Sequence, residues 1–390
     1  MFRVGIIGFG GAGIGQLAYF SCIPDCKVEK VFDPKPAGRE RVAELAPGVT
    51  ACADLEDFLK GLDIVSVCSP DSTHADYIAA ALDHGCHVIC EKPLTDSVEG
   101  IRKIKDAERR SKRVAAVQHQ MRYVPVHRKI KACLDSGELG RISYLEGLYV
   151  HNLTVADRTL IFDDWRLKEN PTPLVYSGCH FVDLLRWFAG EEIEEVYAAA
   201  NHLSYPEYPE SDLNLVTLKF PSTVIGKVLV AFGAECPQDH SVKIYGTQGA
   251  IENNVLFAKG GIWKRTLHSP KVLNPKLWRN KVPSLGQGLL WELRGNLKSY
   301  VFAKLFEMLR PFVRGGAWQY GVRFYPVRLY EHFLACVDSI DDFVEAIRTS
   351  RAPQCTVDEG ARTVLACLAG VESFRTNRPV KVMSLEQALE

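Results

Sequence analysis

The chain opens on an apolar run, Phe2-Arg3-Val4-Gly5-Ile6-Ile7. It breaks at glycines and passes into Ile14-Gly15-Gln16-Leu17-Ala18-Tyr19-Phe20. A buried strand feeding a turn and a helix is what this pattern predicts. The unit recurs. Val28 to Phe32 reads as a strand, Arg39 to Ala46 as a helix, and Val49-Thr50-Ala51 as a short strand. Asp54 is a candidate N-cap for a helix reaching Lys60. Ile64-Val65-Ser66-Val67-Cys68 is nearly all apolar, and His74 opens a helix from Ala75 to His84. His87-Val88-Ile89-Cys90 and Arg113 to Gln118 read as further strands. Apolar strands alternating with helices predict an α/β domain with a doubly wound parallel sheet.

The rhythm then changes. Ile142 to Val150 alternates as a strand, and Pro173 to Gly190 reads as a helix. Val196 to Asn201, Leu213 to Phe220, Val224 to Phe232 and Ser241 to Tyr245 follow as strands with short turns. Gly246-Thr247-Gln248-Gly249 turns the chain into Ala250-Ile251-Glu252. Successive strands with short connections predict an antiparallel sheet. Tyr330 to Arg348 and Asp358 to Thr376 are apolar at helical spacing and read as packing helices.

A length of 390 residues accommodates two domains. The formal net charge is zero, which favours no partner class. No stretch reaches the roughly eighteen apolar residues of a membrane span, and the first apolar run lacks the basic flank of a signal peptide. Twelve cysteines include no C-x-x-C pair, and Cys22/Cys26 and Cys86/Cys90 suit no standard zinc pattern. Reduced core cysteines, no metal and a cytoplasmic setting are the expectation.

The chemistry begins in the first turn. Gly8-x-Gly10-x-x-Gly13 follows a strand, opens a helix and precedes a second strand ending at Asp33, about twenty residues on. Such glycines permit the tight turn, the approach of a pyrophosphate and close helix–strand packing. The free N–H groups and dipole of the helix N-terminus favour the phosphates. Gly8, Phe9, Gly10, Ala12 and Gly13 are the candidate cradle of a dinucleotide. Asp33 would accept from the adenosine ribose hydroxyls and repel a 2′-phosphate, so NAD is favoured over NADP. Lys35 moderates that preference. Ser69-Pro70, Glu91-Lys92 and His119-Gln120 all fall at strand C-terminal ends, where ligands bind in open α/β sheets.

These residues carry a resemblance. Gly8-x-Gly10-x-x-Gly13, Ser69-Pro70-x-x-x-His74, Glu91-Lys92-Pro93, Arg122-Tyr123-x-Pro125 and Gly178-x-His180-x-x-Asp183-Leu184 resemble, in order and spacing, the Gfo/Idh/MocA oxidoreductases. The resemblance implies an N-terminal Rossmann domain and a C-terminal α/β domain with an open, mostly antiparallel sheet. It places the boundaries at residues 1–121 and at 122–255 with 331–390. It implies hydride transfer between NAD and a secondary alcohol or ketone of a sugar, nucleotide sugar or cyclitol, in a homo-oligomer joined through the C-terminal sheet. Ser69, Pro70, His74, Glu91, Gln120, Trp165 and Arg166 become candidates to contact the cofactor. Lys92, Arg122, Tyr123, Tyr176 and Asp183 become candidates to contact the substrate.

Hydride transfer needs a base for the hydroxyl proton and a group to polarise the carbonyl. Lys92 and His180 match the family's catalytic positions, and a histidine titrates in the useful range. Tyr176 departs from the pattern. Many family members carry Asp four residues before that histidine, one helical turn away. A phenol, with a pKa near about 10, donates well but is a poor resting base. Three outcomes stay open: a dehydrogenase, a redox-neutral NAD-dependent glycosidase or epimerase, and a non-catalytic NAD- and sugar-sensing regulator.

Residues 256–330 have no counterpart in that pattern. They hold fourteen Lys and Arg against Glu292 and Glu307, a net charge of +12 that leaves −12 for the rest. Four of the six tryptophans lie here, Trp263, Trp278, Trp291 and Trp318. Leu290, Leu293, Leu297, Val301, Leu305, Met308 and Phe312 recur at steps of three and four, an amphipathic helix. A subunit or domain interface, a membrane-surface contact by 286–314 and binding of a phosphorylated substrate all remain open. Nucleic acid is not an expected partner, since no recognition motif is present.

Overall fold

The computed structural model describes residues 1–151, 173–205, 209–234, 239–258, 264–267 and 329–390. They fall into two compact units. The first holds Met1–Gln118 and Cys336–Asp358, and the second takes most of the rest, including Glu359–Glu390.

In the first unit the strands are β1 (Phe2–Ile7), β2 (Cys26–Phe32), β3 (Thr50–Cys52), β4 (Ile64–Val67), β5 (His87–Cys90) and β6 (Ala115–Val117). They form one parallel sheet in the order β3-β2-β1-β4-β5-β6. This is the doubly wound dinucleotide-binding order, whose ligand crevice lies where the order reverses beside β1. β4 is buried at every position, as a strand covered on both faces must be. Asp54 caps its helix as expected, accepting from the Asp57 N–H at 2.9 Å. The helix Val98–Ser111 was missed by the sequence reading. Its signals were present: Ser97 accepts from the Gly100 N–H, and Ile101, Ile104 and Ala107 are buried along one stripe.

The first unit runs to Gln118 and takes in the later segment Cys336–Asp358. Hydrogen bonds from β6 and the Gln118 side chain to this segment explain it. The Val117 N–H donates to the Cys355 carbonyl at 3.1 Å, Ala116 bridges Thr356, and the Gln118 amide donates to the Cys336 carbonyl at 3.4 Å. The exposed edge of β6 is thereby covered.

The second unit is built on β7 (Ile142–His151), β8 (Glu195–Asn201), β9 (Leu213–Lys219), β10 (Ile225–Phe232), β11 (Val242–Gly246), β12 (Gly249–Glu252), β13 (Val255–Ala258), β14 (Lys264–Thr266) and β15 (Val380–Lys381). Their order is β14-β13-β12-β11-β7-β10-β9-β8-β15. Every pairing is antiparallel except β7 with β10, so the sheet is mixed but mostly antiparallel, as expected. The expected helix from Pro173 divides. Leu174–Gly178 is a π-helical turn, and an α-helix continues over Cys179–Ala189 until Gly190 stops it with a left-handed φ of 72°. This helix lies on the middle of the sheet. A side chain at Gly147 of β7 would sit 2.3 Å from the Phe181 ring, so only glycine permits the approach.

Candidate functional site

The first unit supplies a cradle. β1 ends in Gly8, whose φ of +83° strains any L side chain, and its N–H donates to the Phe32 carbonyl at 2.8 Å. A Cβ on Gly13 would sit 2.0 Å from the Gly8 oxygen, while one on Gly10 would meet nothing within 4 Å. Gly13 is therefore demanded by the protein's own packing, and Gly10 is not. Glycine at Gly10 leaves open space over the turn. The helix Gly11–Phe20 starts with no side-chain cap and no acidic residue in its first turn, so its leading N–H groups remain available for an anion.

Asp33 follows the end of β2. Its carboxylate accepts from the Phe9 N–H at 2.8 Å and the Lys35 N–H at 2.9 Å, and a Cβ on Gly38 would collide with it at 2.3 Å. The acid is thus held beside the glycine turn, with lone pairs left over for ribose hydroxyls. Arg39 and Arg41 were missed by the sequence reading. Arg39 donates to the Asp33 and Pro34 carbonyls at 2.7 and 2.9 Å, and Arg41 to the Phe9 carbonyl at 2.9 Å. No spacing rule pointed to them. An open turn, an uncapped helix and a fixed carboxylate fit a dinucleotide.

The remaining strand ends are tied together. The fully buried Gln16 amide donates to Glu91 at 3.0 Å and to Gln118. His74 is buried, and its two ring nitrogens lie 2.9 Å from the Pro93 and Ser69 carbonyls. It was expected to touch the cofactor. In the structure it links the Ser69-Pro70 loop to the Lys92-Pro93 loop, with both ring nitrogens facing protein carbonyls. Thr73 adds a bond to the Ser69 hydroxyl at 2.7 Å.

The second unit supplies His180, which is 8% exposed near the start of Cys179–Ala189. Its ring lies nearly parallel to that of Tyr149 on β7, at 5.8 Å and 8°. Tyr149 in turn stacks on His240 at 4.3 Å and on His151 at 5.9 Å. Burial, with His151 and His332 adding like charge, holds His240 neutral with its pKa lowered to about 3. Tyr176 is buried on the π-turn with its ring 5.9 Å from Phe232.

Arg122 and Asp183, expected to meet substrate, meet each other. The guanidinium makes bonds of 2.8 and 2.6 Å to the Asp183 carboxylate and one of 2.7 Å to Glu359. Thr363 also donates to Asp183 at 3.2 Å, and Arg186 lies 3.8 Å away. Asp183 is fully buried. Burial pushes its pKa up, but the Arg122 and Arg186 guanidiniums outweigh that and hold it below the usual carboxylate value. These side chains brace the helix from behind. Tyr123 is likewise buried, with the Arg128 guanidinium 5.0 Å from its ring. His119 is neutral, its pKa lowered to about 4 chiefly by burial. The buried Gln120 carbonyl oxygen has no hydrogen-bond partner among the described residues. Trp165, Arg166 and nearly all of residues 256–330 lie outside the described residues.

Comparison with known proteins adds to this geometry. Residues 2–119 match the Gfo/Idh/MocA model for an oxidoreductase family with an NAD-binding Rossmann fold, and residues 127–252 match the model of that family's C-terminal domain. A scyllo-inositol 2-dehydrogenase (NAD(+)) of Bacillus subtilis is 26% identical over 250 residues, 61% of this chain and 71% of the relative. An inositol 2-dehydrogenase of Rubrobacter xylanophilus is 27% identical over 256 residues, covering 64% and 70%. The crystal structure of a Lactobacillus casei scyllo-inositol dehydrogenase with NAD(H) and scyllo-inositol superposes with a TM-score of 0.71 at 19% identity, over 98% of this chain and 99% of that one. At that identity the likeness shows the fold.

Proposed function

The chain belongs to the Gfo/Idh/MocA oxidoreductase family, and from that membership we propose that it is an NAD-dependent dehydrogenase acting on a secondary alcohol of a cyclitol or related sugar. The observation that carries the reading is the open glycine turn: Gly10 without packing neighbours, an uncapped helix N-terminus, and Asp33 held beside them. Similarity to inositol dehydrogenases supports a ring polyol as substrate. Asp33 supports NAD over NADP.

Bound NAD supplies the hydride acceptor. Gly8, Phe9, Gly10, Ala12 and Gly13 hold its pyrophosphate, and Ser69, Pro70 and Glu91 line the same crevice. Lys92 donates a hydrogen bond to the reacting hydroxyl and steadies the charge that develops on its oxygen. His180 takes the hydroxyl proton as general base. Tyr176, standing where many relatives carry Asp, donates to the carbonyl oxygen rather than accepting the proton. Arg122 and Asp183 hold the His180 helix in place through their paired hydrogen bonds. The enzyme works in the cytoplasm as a homo-oligomer joined through the open face of the second sheet.

The test begins with the freshly purified protein. Its bound cofactor is released and identified, and inositols, sugars and nucleotide sugars are then offered with free NAD while the reduced-nicotinamide absorbance is followed. A substrate-dependent rise, lost in Lys92→Ala by about two or more orders of magnitude, is the expected result. Tyr176 favours one second reading. Tightly held NAD that turns over substrate without net NADH would make this a redox-neutral enzyme.

A further inference from the structure

Three of the eleven histidines gather around one tyrosine. Tyr149 and His151 sit two apart on β7, on the face against which Cys179–Ala189 packs. The neighbouring Gly147 shows this by its approach to Phe181. His240 arrives from the segment leading into β11, anchored where Asp239 and Val150 exchange main-chain hydrogen bonds at 2.8 and 3.0 Å. The four rings of Tyr149, His151, His180 and His240 are parallel to within 24° in every recorded pair. Phe232 and Phe181 close on Tyr149 edge-on, at 6.1 and 6.3 Å.

We propose that Tyr149 and His240 are positioning residues for the reaction: their stack fixes the ring plane of His180, and so the direction in which its nitrogen meets the substrate hydroxyl. This inference rests on the dehydrogenase reading. An imidazole on a helix has two side-chain torsions, and the second is broad, so backbone alone does not set the ring plane. A parallel aromatic neighbour does, since the pair loses contact area when one ring turns. Tyr149 sits on β7 and is held in turn by His240 at 4.3 Å and by the edges of Phe181 and Phe232. Neutral His240 lets the rings approach without charge repulsion.

The experiment compares Tyr149→Phe, Tyr149→Ala and His240→Asn with the unmodified protein. Tyr149→Ala is expected to lower kcat by about two orders of magnitude, the cost of a reacting group misplaced by about an ångström, with KM little changed. Tyr149→Phe keeps the stack and is expected to restore kcat to within about threefold; His240→Asn falls between them. The second readout is independent of turnover. The His180 ring C–H resonance, assigned with His180→Gln, carries the ring-current shift of Tyr149. It should move in Tyr149→Ala and stay in Tyr149→Phe. Equal losses in Phe and Ala variants would make the hydroxyl the active part and overturn the proposal. So would an unmoved resonance, or an Ala variant at full kcat. If the unmodified protein turns over none of the polyols, the dehydrogenase reading fails, and with it the role in the reaction; the resonance then reports only whether the stack exists.

Discussion

A methyl group added at Gly13 would sit 2.0 Å from a backbone oxygen, whereas one at Gly10 would meet nothing within 4 Å. Two glycines of one motif therefore predict opposite outcomes. Gly13→Ala should destabilise the protein by about 1–3 kcal/mol, since backbone must shift to admit it. Gly10→Ala should leave stability within about 0.5 kcal/mol and weaken NAD binding by about tenfold, because the methyl enters space the pyrophosphate needs. Thermal unfolding and NAD titration of both variants check this; equal destabilisation would show that Gly10 also serves packing. At this scale the motif was legible because each glycine answers a local backbone demand. What Arg122 and Asp183 do was not. Their partners are distant in sequence, with Asp183 lying 61 positions from the Arg122 that binds it.

The helix Cys179–Ala189 shows how an element is held. One end presents His180 to the ring stack, and the buried flank sets Asp183 against Arg122, with Glu359 and Thr363 closing the group. Removing one partner of such a buried pair leaves a charge uncompensated. Asp183→Ala should cost about 3–5 kcal/mol in denaturant unfolding. A loss under about 1 kcal/mol would mean that water reaches Arg122. The titrating groups also set a pH dependence. Asp183 and Glu359 are held below their usual values, so their stabilisation is full at neutral pH and fades as acid protonates them. His119 and His127 are buried neutral, each with a pKa lowered to about 4. Unfolding lets them take up protons below about pH 6.5, so stability falls from there toward about pH 4, by on the order of 3 kcal/mol for each. Both effects have the same sign. Unfolding free energies measured across that window should drop steadily, and His127→Gln should flatten the slope. The helix itself was legible from its apolar period. Its π-turn and its bracing were not, because both depend on what the helix lies against.

Across the second unit the sheet has a helix-covered face and an open one. Tyr197, Leu215, Ile225 and Tyr245 are exposed on the open face, around Glu146, which pairs with Lys227 at 3.2 Å. Large apolar side chains on a flat sheet face suit a second copy of the chain. Leu215→Glu combined with Ile225→Glu should reduce the sedimentation coefficient to that of a single chain without loss of secondary structure; unchanged sedimentation would place the interface elsewhere. Among the described residues no helix is long and apolar enough to cross a membrane. The basic 286–314 segment carries a separate expectation: the full chain should co-sediment with anionic vesicles and a form lacking 286–314 should not. Equal binding by both would remove the membrane from the account. The sequence by itself determined what depends on neighbours along the chain. That covers the parallel α/β half, the mostly antiparallel second sheet, the glycine turn with Asp33, and the strand ends that carry Lys92. Period and turn chemistry act within about twenty residues, so they can be read directly. Only the tertiary structure decided the extension of the first unit by residues 336–358, the parallel pairing of β7 with β10, the spending of Arg122 and Asp183 on each other, and the rings around Tyr149. Each of these pairs groups far apart in the chain, and such pairings are chosen by packing and burial, which no local pattern encodes.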